Sequence, residues 1–142
     1  MSGFLLDTNV ISELIKPQPD ANVTAWIEGI NESLLYLSVL TLGEIRRGIA
    51  ALPQSRRRAT LEGWLNTDLR ARFDERILTI DQEVADRWGL LTAAARNSGI
   101  VLPVIDSLLA ATALEHNLTL VTRDVGQIPT TGVAVFNPWE SN

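Results

Sequence analysis

Four acids sit where this chain turns from one run of residues to the next. Asp7 directly follows the apolar run Phe4-Leu5-Leu6, Glu44 comes just after the run Leu34 to Ser38, Asp106 stands at the head of an Ala-rich helical pattern, and Asp124 lies just past Thr122. If one edge of a sheet gathers them, like charges a few ångströms apart repel and raise each other's pKa. A divalent cation is the natural compensator, and magnesium or manganese prefers carboxylate oxygens while keeping waters that leave room for a phosphate. A cation so held lowers the pKa of a water, orients it for in-line attack on phosphorus and neutralises the leaving oxygen. The chemistry such a cluster would perform is phosphodiester hydrolysis without a covalent intermediate.

Each acid also has a purely structural role open to it. Aspartate before a helix is a favoured N-cap, which accounts for Asp7, Asp81 and Asp106 without any chemistry. Thr41-Leu42-Gly43-Glu44 fits a capping box in which the glutamate bonds back to the cap residue. Asp124 could shape the turn before Gly126, and periodicity does not choose between these roles and the metal site. Other chemistries are excluded by missing residues. There is no cysteine for a zinc finger or a thiol nucleophile. Position 9 is Asn, not the second aspartate of a haloacid-dehalogenase-type phosphotransferase, and Lys16 is the only lysine, so the late lysine of a receiver domain is absent. Neither a P-loop nor a Gly-x-Gly-x-x-Gly turn occurs. The single histidine, His116, has no serine that the sequence pattern places beside it and suits a helix C-terminus.

The elements that would position the acids follow from the apolar pattern. Strands are expected at Phe4 to Leu6, Leu34 to Ser38, Arg76 to Ile80, Leu118 to Thr122 and Val133 to Phe136. Helices are expected over Asn9 to Lys16, after Asp20, through the stripe Leu42, Ile45, Ile49 and Leu52, after Ser55 with Leu61, Trp64, Leu65 and Leu69 inward, after Asp81 as far as Gly99, and from Ile105 to His116. Trp26, Trp64 and Trp88 fall on apolar stripes and read as core. Strands alternating with helices argue an α/β fold with three layers, α/β/α, around a mostly parallel sheet of about five strands. In such sheets the site lies beyond the carboxyl ends of the strands.

The chain's 142 residues and 46% hydrophobic content fit one domain spanning 1–142, with no repeat or linker. Lack of cysteine, of a basic leader and of a membrane-length apolar run predicts a cytoplasmic protein with no membrane partner. The net charge of -5 makes the whole molecule a poor match for nucleic acid, so a polyanion would need a local basic patch, a metal, or both. The cations are nearly all arginine, including Arg46, Arg47, Arg123 and the run Arg56 to Arg58. Their flat forks suit phosphate, although solvated helix faces explain many of them.

Five blocks in order resemble the PIN-domain ribonucleases, specifically the VapC-type toxins and their FitB-like branch. These are Leu5-Leu6-Asp7-Thr8-Asn9-Val10-Ile11-Ser12-Glu13, Ser38-Val39-Leu40-Thr41-Leu42-Gly43-Glu44-Ile45, Asp106-Ser107-Leu108-Leu109-Ala110-Ala111-Thr112-Ala113, Leu118-Thr119-Leu120-Val121-Thr122-Arg123-Asp124 and Phe136-Asn137-Pro138-Trp139. The resemblance covers nearly the whole chain. It implies a PIN-like fold and a magnesium- or manganese-dependent endoribonuclease acting as the toxin of a type II toxin–antitoxin pair. Asp7, Glu44 and Asp106 match the family's metal-binding acids and Asp124 the fourth. Thr8 and Asn9 match residues that shape the site, Thr122 matches a hydroxyl near metal water or phosphate, and Arg46 and Arg123 are candidates to position RNA. Asp81 matches no site residue and keeps its cap role on an edge strand. Gln127 and Ile128 stand where many relatives carry an acid and an aromatic, which leaves Asp124 without a reserve carboxylate. The implied partners are RNA, a cognate antitoxin, a second copy of the chain in a homodimer or a toxin–antitoxin hetero-oligomer, and promoter DNA reached only through the antitoxin. The alternative is a catalytically weak PIN module that acts mainly by binding its antitoxin in a promoter-bound complex.

Overall fold

A computed structural model describes residues 2–140. Its elements are β1 (Phe4–Leu6), α1 (Thr8–Leu14), α2 (Ala21–Gly29), β2 (Leu35–Ser38), α3 (Val39–Ala50), α4 (Arg56–Gly63), α5 (Arg70–Arg72), β3 (Ile77–Leu78), α6 (Gln82–Asn97), α7 (Val104–Glu115), β4 (Thr119–Val121) and β5 (Val135–Phe136). The five strands form one sheet in the order β3-β2-β1-β4-β5, and every pairing is parallel. The expected strands are all present; β1 has the expected bounds and the other four are shorter, β3 keeping only Ile77–Leu78 at the sheet's edge.

Alternation along the strands divides the core in two, because successive side chains point to opposite faces. Leu6, Leu35, Leu37 and Val121 join one cluster with Val10 and Ile11 of α1, Val23 and Ile27 of α2, Ile45 and Ile49 of α3, and Phe73. Leu5 and Leu120 join the other with Leu109, Ala110 and Ala113 of α7, and Ile128 and Val133. Helices on both faces complete the three layers. The small residues of α7 let it lie close to the sheet, and α6 packs on α7 outside it. The middle strand is also approached closely at its start: a Cβ on buried Gly3 would collide with the carbonyl oxygen of Leu34 and come within 2.9 Å of the Tyr36 ring.

One expected helix differs in kind. Ser55 caps it as predicted, its hydroxyl accepting from the N–H of Arg58. The helix then widens into a π-helical stretch over Trp64–Leu69 before closing as α5. The apolar residues explain the change, since Leu61, Leu65, Leu69 and Phe73 recur every four residues. An α-helix would rotate that stripe by about 40° per step, and wider turns keep Leu65, Leu69 and Phe73 facing the core. Trp26 and Trp64 pack against the first cluster as expected, and Trp88 is half-buried, with its indole N–H donating to Ser107 Oγ at 2.9 Å.

Helix ends follow their expected chemistry at several points. Asp20 and Asp81 cap α2 and α6. Gly99 and Asn117 take positive φ, 79° and 55°, where α6 and α7 give way to the next segment. No helix among the described residues is long and apolar enough to cross a membrane.

Candidate active site

Parallel pairing brings the carboxyl ends of β1, β2 and β4 to one edge of the sheet, and the four acids stand there on four separate segments. Asp7 is the residue after β1. Its backbone N–H donates to the carbonyl of Val121 at 2.9 Å, a bond that continues the β1–β4 ladder one step past the strand. The same residue caps α1, with Oδ1 accepting from the Thr8 N–H at 2.7 Å. Oδ2 accepts from Thr122 Oγ1 at 2.8 Å. Capping and site-building are therefore not alternatives for Asp7.

The buried Thr122 hydroxyl is the hub of this edge. It donates to Asp7 and accepts from Asn9 Nδ2 at 3.2 Å and from the Asp124 N–H at 3.1 Å. One donor and two lone pairs are all a hydroxyl has, so each is used. Thr8, at the first position of α1, donates its Oγ1 proton to Glu44 Oε1 at 2.6 Å, tying α1 to α3.

The capping roles open to Glu44 and Asp106 do not occur. Ser38 caps α3, its Oγ accepting from the N–H of Leu40. Thr41 is therefore already helical and wholly buried, and Glu44 lies past the first turn, beyond reach of a capping box. Pro103 occupies the cap position of α7 with no side-chain bond, which leaves Asp106 in the first turn facing the pocket. No hydrogen bond to the carboxylate of Asp106 or Asp124 occurs among the described residues.

A cavity of about 400 Å³ opens over this edge and is lined by Asp7, Thr8, Asn9, Glu44, Asp106 and Asp124. Ser12, Glu13, Lys16, Arg123 and Trp139 complete its lining. Burial pushes the Asp7 carboxyl above its ordinary value; hydrogen bonds from Thr122 and Thr8 oppose that, and the charges of Asp106 and Glu44 add to it. Asp106 is raised as well, by burial first and then by Glu44 and Asp124. These mutual effects place the four carboxylates in one electrostatic cluster. No three His, Cys, Asp or Glu side chains among the described residues converge tightly enough to chelate an ion directly. The donor set nevertheless fits a hard cation that keeps much of its water and takes one or two carboxylates directly.

Of the arginines expected near the acids, Arg123 lines the cavity and Arg46 does not: its guanidinium is engaged by Asn66 of the π-helical stretch. An arginine shortly past Glu44 on α3 points away from the pocket because helical rotation carries it round. Glu13, Lys16, Ser12 and Trp139 carry no site role in the sequence pattern alone. A signal did exist for the first two, since Glu13 is four residues past Asn9 on α1 and three before Lys16, spacings that share a helix face. For Trp139 the signal was only its place in the closing block Phe136-Asn137-Pro138-Trp139, and it reaches the pocket through the tertiary fold.

Residues 4–129 match the PIN domain family, and the chain belongs to it. It is 40% identical over 136 residues to Toxin FitB of Neisseria gonorrhoeae strain ATCC 700825 / FA 1090, covering 96% of this chain and 98% of that one. It is 39% identical over 137 residues to VapC ribonuclease Y4jK of Sinorhizobium fredii strain NBRC 101917 / NGR234, covering 96% and 98%. The solved structure of FitAB bound to an IR36 DNA fragment superposes with a TM-score of 0.93 at 37% identity, over 98% of this chain and 97% of that one.

Proposed function

We propose that the protein is a divalent-metal-dependent endoribonuclease and the toxin of a toxin–antitoxin pair. The observation that carries this reading is the gathering of Asp7, Glu44, Asp106 and Asp124 over one cavity at the carboxyl ends of the central strands. Similarity over nearly the full length to a VapC ribonuclease and to Toxin FitB supports both halves of it.

The four acids would hold a magnesium or manganese ion, which when bound supplies a water of lowered pKa and neutralises charge on the phosphate. The chain's own residues set that stage. Thr122 fixes the Asp7 carboxylate through Oδ2, and the Thr8 N–H fixes it through Oδ1, so its orientation is determined before any ligand arrives. Thr8 Oγ1 does the same for Glu44. Asn9 braces Thr122 and reaches toward the Arg123 N–H, keeping the β4 end in register with α1. Asp106 and Asp124, without such ties, are free to adjust to ion and waters.

The proposed partner is a cognate antitoxin, because a solved structure very similar to this chain is that of FitAB bound to a DNA fragment. Contact with promoter DNA would then run through the antitoxin. The homodimer that the resemblance implies belongs to the same proposal, as does action in the cytoplasm. Nothing in the pocket favours the alternative of a catalytically weak module, since all four acids face it. Purified protein should cleave RNA with magnesium or manganese and stop with EDTA, and Asp106→Asn should abolish both cleavage and toxicity. Metal-independent hydrolysis by a clean preparation, or full activity of Asp106→Asn, overturns the reading. Light scattering of the chain alone and with its antitoxin reads the assembly.

A further inference from the structure

Besides the four acids, the cavity lining carries two positive side chains, Lys16 and Arg123, and one aromatic ring, Trp139. The Arg123 guanidinium carbon lies 5.3 Å from the centre of the Trp139 ring. Trp139 itself is anchored from behind: its N–H donates to Asn137 Oδ1 at 2.9 Å, its carbonyl accepts from Asn22 Nδ2 at 3.0 Å, and its ring packs against the first core cluster. Glu13, almost wholly buried, organises the rest. Its carboxylate accepts from Lys16 Nζ at 2.8 Å and from the Asp20 N–H at 2.9 Å. Those two bonds, with Trp139 as a further side-chain partner, hold its pKa below the ordinary value.

A phosphodiester strand entering this cavity meets anionic repulsion from the four acids and attraction from these groups. The arrangement is an aromatic ring with a guanidinium over it, beside an ammonium that has donors to spare. Arginine planes and indole rings are the surfaces on which unstacked bases rest, and lysine takes phosphate as a point charge. We propose that Trp139 and Arg123 form a stacking platform for one unpaired nucleobase next to the scissile phosphate, with Lys16 holding a neighbouring phosphate. This rests on the ribonuclease reading. A base in an A-form duplex is stacked on both faces and cannot reach the platform.

The experiment uses the intact protein with magnesium. A random-sequence pool of single-stranded RNA is cleaved and the cut sequence is read. Oligonucleotides of that sequence are then compared as single strand, as duplex with the complement, and with one abasic nucleotide placed in turn at each position beside the cut. Wild type should cleave the duplex poorly, and one abasic position should raise KM about tenfold or more, the scale of one missing base stack. Trp139→Leu should raise KM on the intact strand by a similar factor, with a smaller change in kcat, and should make that abasic position silent; Trp139→Phe should restore both. Coupling of this kind is what a base resting on the Trp139–Arg123 platform produces. Effects of Trp139→Leu and the abasic site that simply multiply, or a duplex cleaved as well as the single strand, overturn the platform and leave the ribonuclease reading standing. The duplex and abasic arms on wild type decide the matter even where Trp139→Leu folds poorly. A wild type that cleaves no RNA in the pool overturns both.

Discussion

At the scale of the residue, Glu44 separates chemistry from structure. Its Oε1 accepts one hydrogen bond, from Thr8, and the amide oxygen of glutamine can accept the same bond. Glu44→Gln should therefore keep stability within about 0.5 kcal/mol of wild type, as expected where no large destabilising mechanism operates. Cleavage should fall by roughly ten- to a hundredfold, the cost of disturbing a metal's supporting groups. Melting of the metal-free protein beside cleavage at saturating magnesium reads the two effects, and full activity would remove Glu44 from the site. Thr122 makes the opposite case. Valine there leaves Asp7 Oδ2 and the Asp124 N–H without the partner each now has, so Thr122→Val should cost about 1–3 kcal/mol in urea unfolding. Serine should recover most of it. The acids themselves carry a pH signature. Asp7 and Asp106 hold their protons more tightly folded than unfolded, so metal-free stability should rise as pH falls from neutral through their raised values and level off at the ordinary carboxylate value. Glu13 and Glu32 are lowered instead, by hydrogen bonds from Lys16 and Arg72 first. Their contribution is present above the ordinary value and is lost only as pH falls through the lowered one. Asp106→Asn should flatten part of the profile, and a profile identical to wild type would mean that neither burial nor the neighbouring carboxylates raise Asp106.

At the scale of the element, the register of β1 beside β2 decides where Asp7 stands. Gly3 allows the two strands to meet at their start, with Phe4 opposite Leu35. A methyl group there forces backbone to move, and Gly3→Ala should destabilise by roughly 1–3 kcal/mol, the range for overpacking a tight site. Denaturant midpoints measure it, and a neutral result would show that β1 can shift without cost. The helices distribute the arginines differently. Arg123 follows β4 and lines the cavity, whereas Arg56 to Arg58 lie at the start of α4, outside its lining. Arg123→Gln should weaken RNA binding by removing the cation of the platform, and Lys16→Gln should reduce its salt dependence by about one unit of slope, because one fewer phosphate is neutralised by the protein. Neutralising Arg56 and Arg57, both exposed, should do neither. A larger effect from α4 would put the RNA path on the wrong face of the molecule.

At the scale of the whole molecule, four carboxylates at one edge make the metal-free fold carry a repulsion that a cation removes. Magnesium or manganese should raise the melting temperature, by an amount equivalent to about 2.7 kcal/mol at a hundredfold excess over Kd, and the rise should shrink in Asp106→Asn. An ion that leaves wild-type melting unchanged at millimolar concentration would argue against the site. The net charge of -5 points the same way, since an acidic chain binds a polyanion only where local cations or a metal reverse the field.

Much of this molecule is written in the order of its residues. Alternation and apolar run length determine five short strands with helices between them, because a strand buried on both faces must be apolar throughout and a helix must show its stripe. The acids at the strand ends, Asp81 as a cap and Asn117 as a terminator follow from local chemistry, since each depends on neighbours a few residues away. What lies beyond that reach was decided by packing. Thr41 has the look of a cap, but Ser38 takes the position because β2 ends there and the chain turns at once into α3. The expected long helix widens at Trp64–Leu69 because a four-residue apolar stripe meets a flat core. Arg46 is close to Glu44 along the chain, yet rotation about α3 sends it to Asn66. Trp139 is distant from every acid in sequence, and parallel pairing of β4 with β5 carries the segment after Phe136 to the same edge as Asp7. Periodicity reports only which face of its own element a residue occupies, and which faces meet across the molecule is settled when the whole chain finds the arrangement that buries all its stripes together.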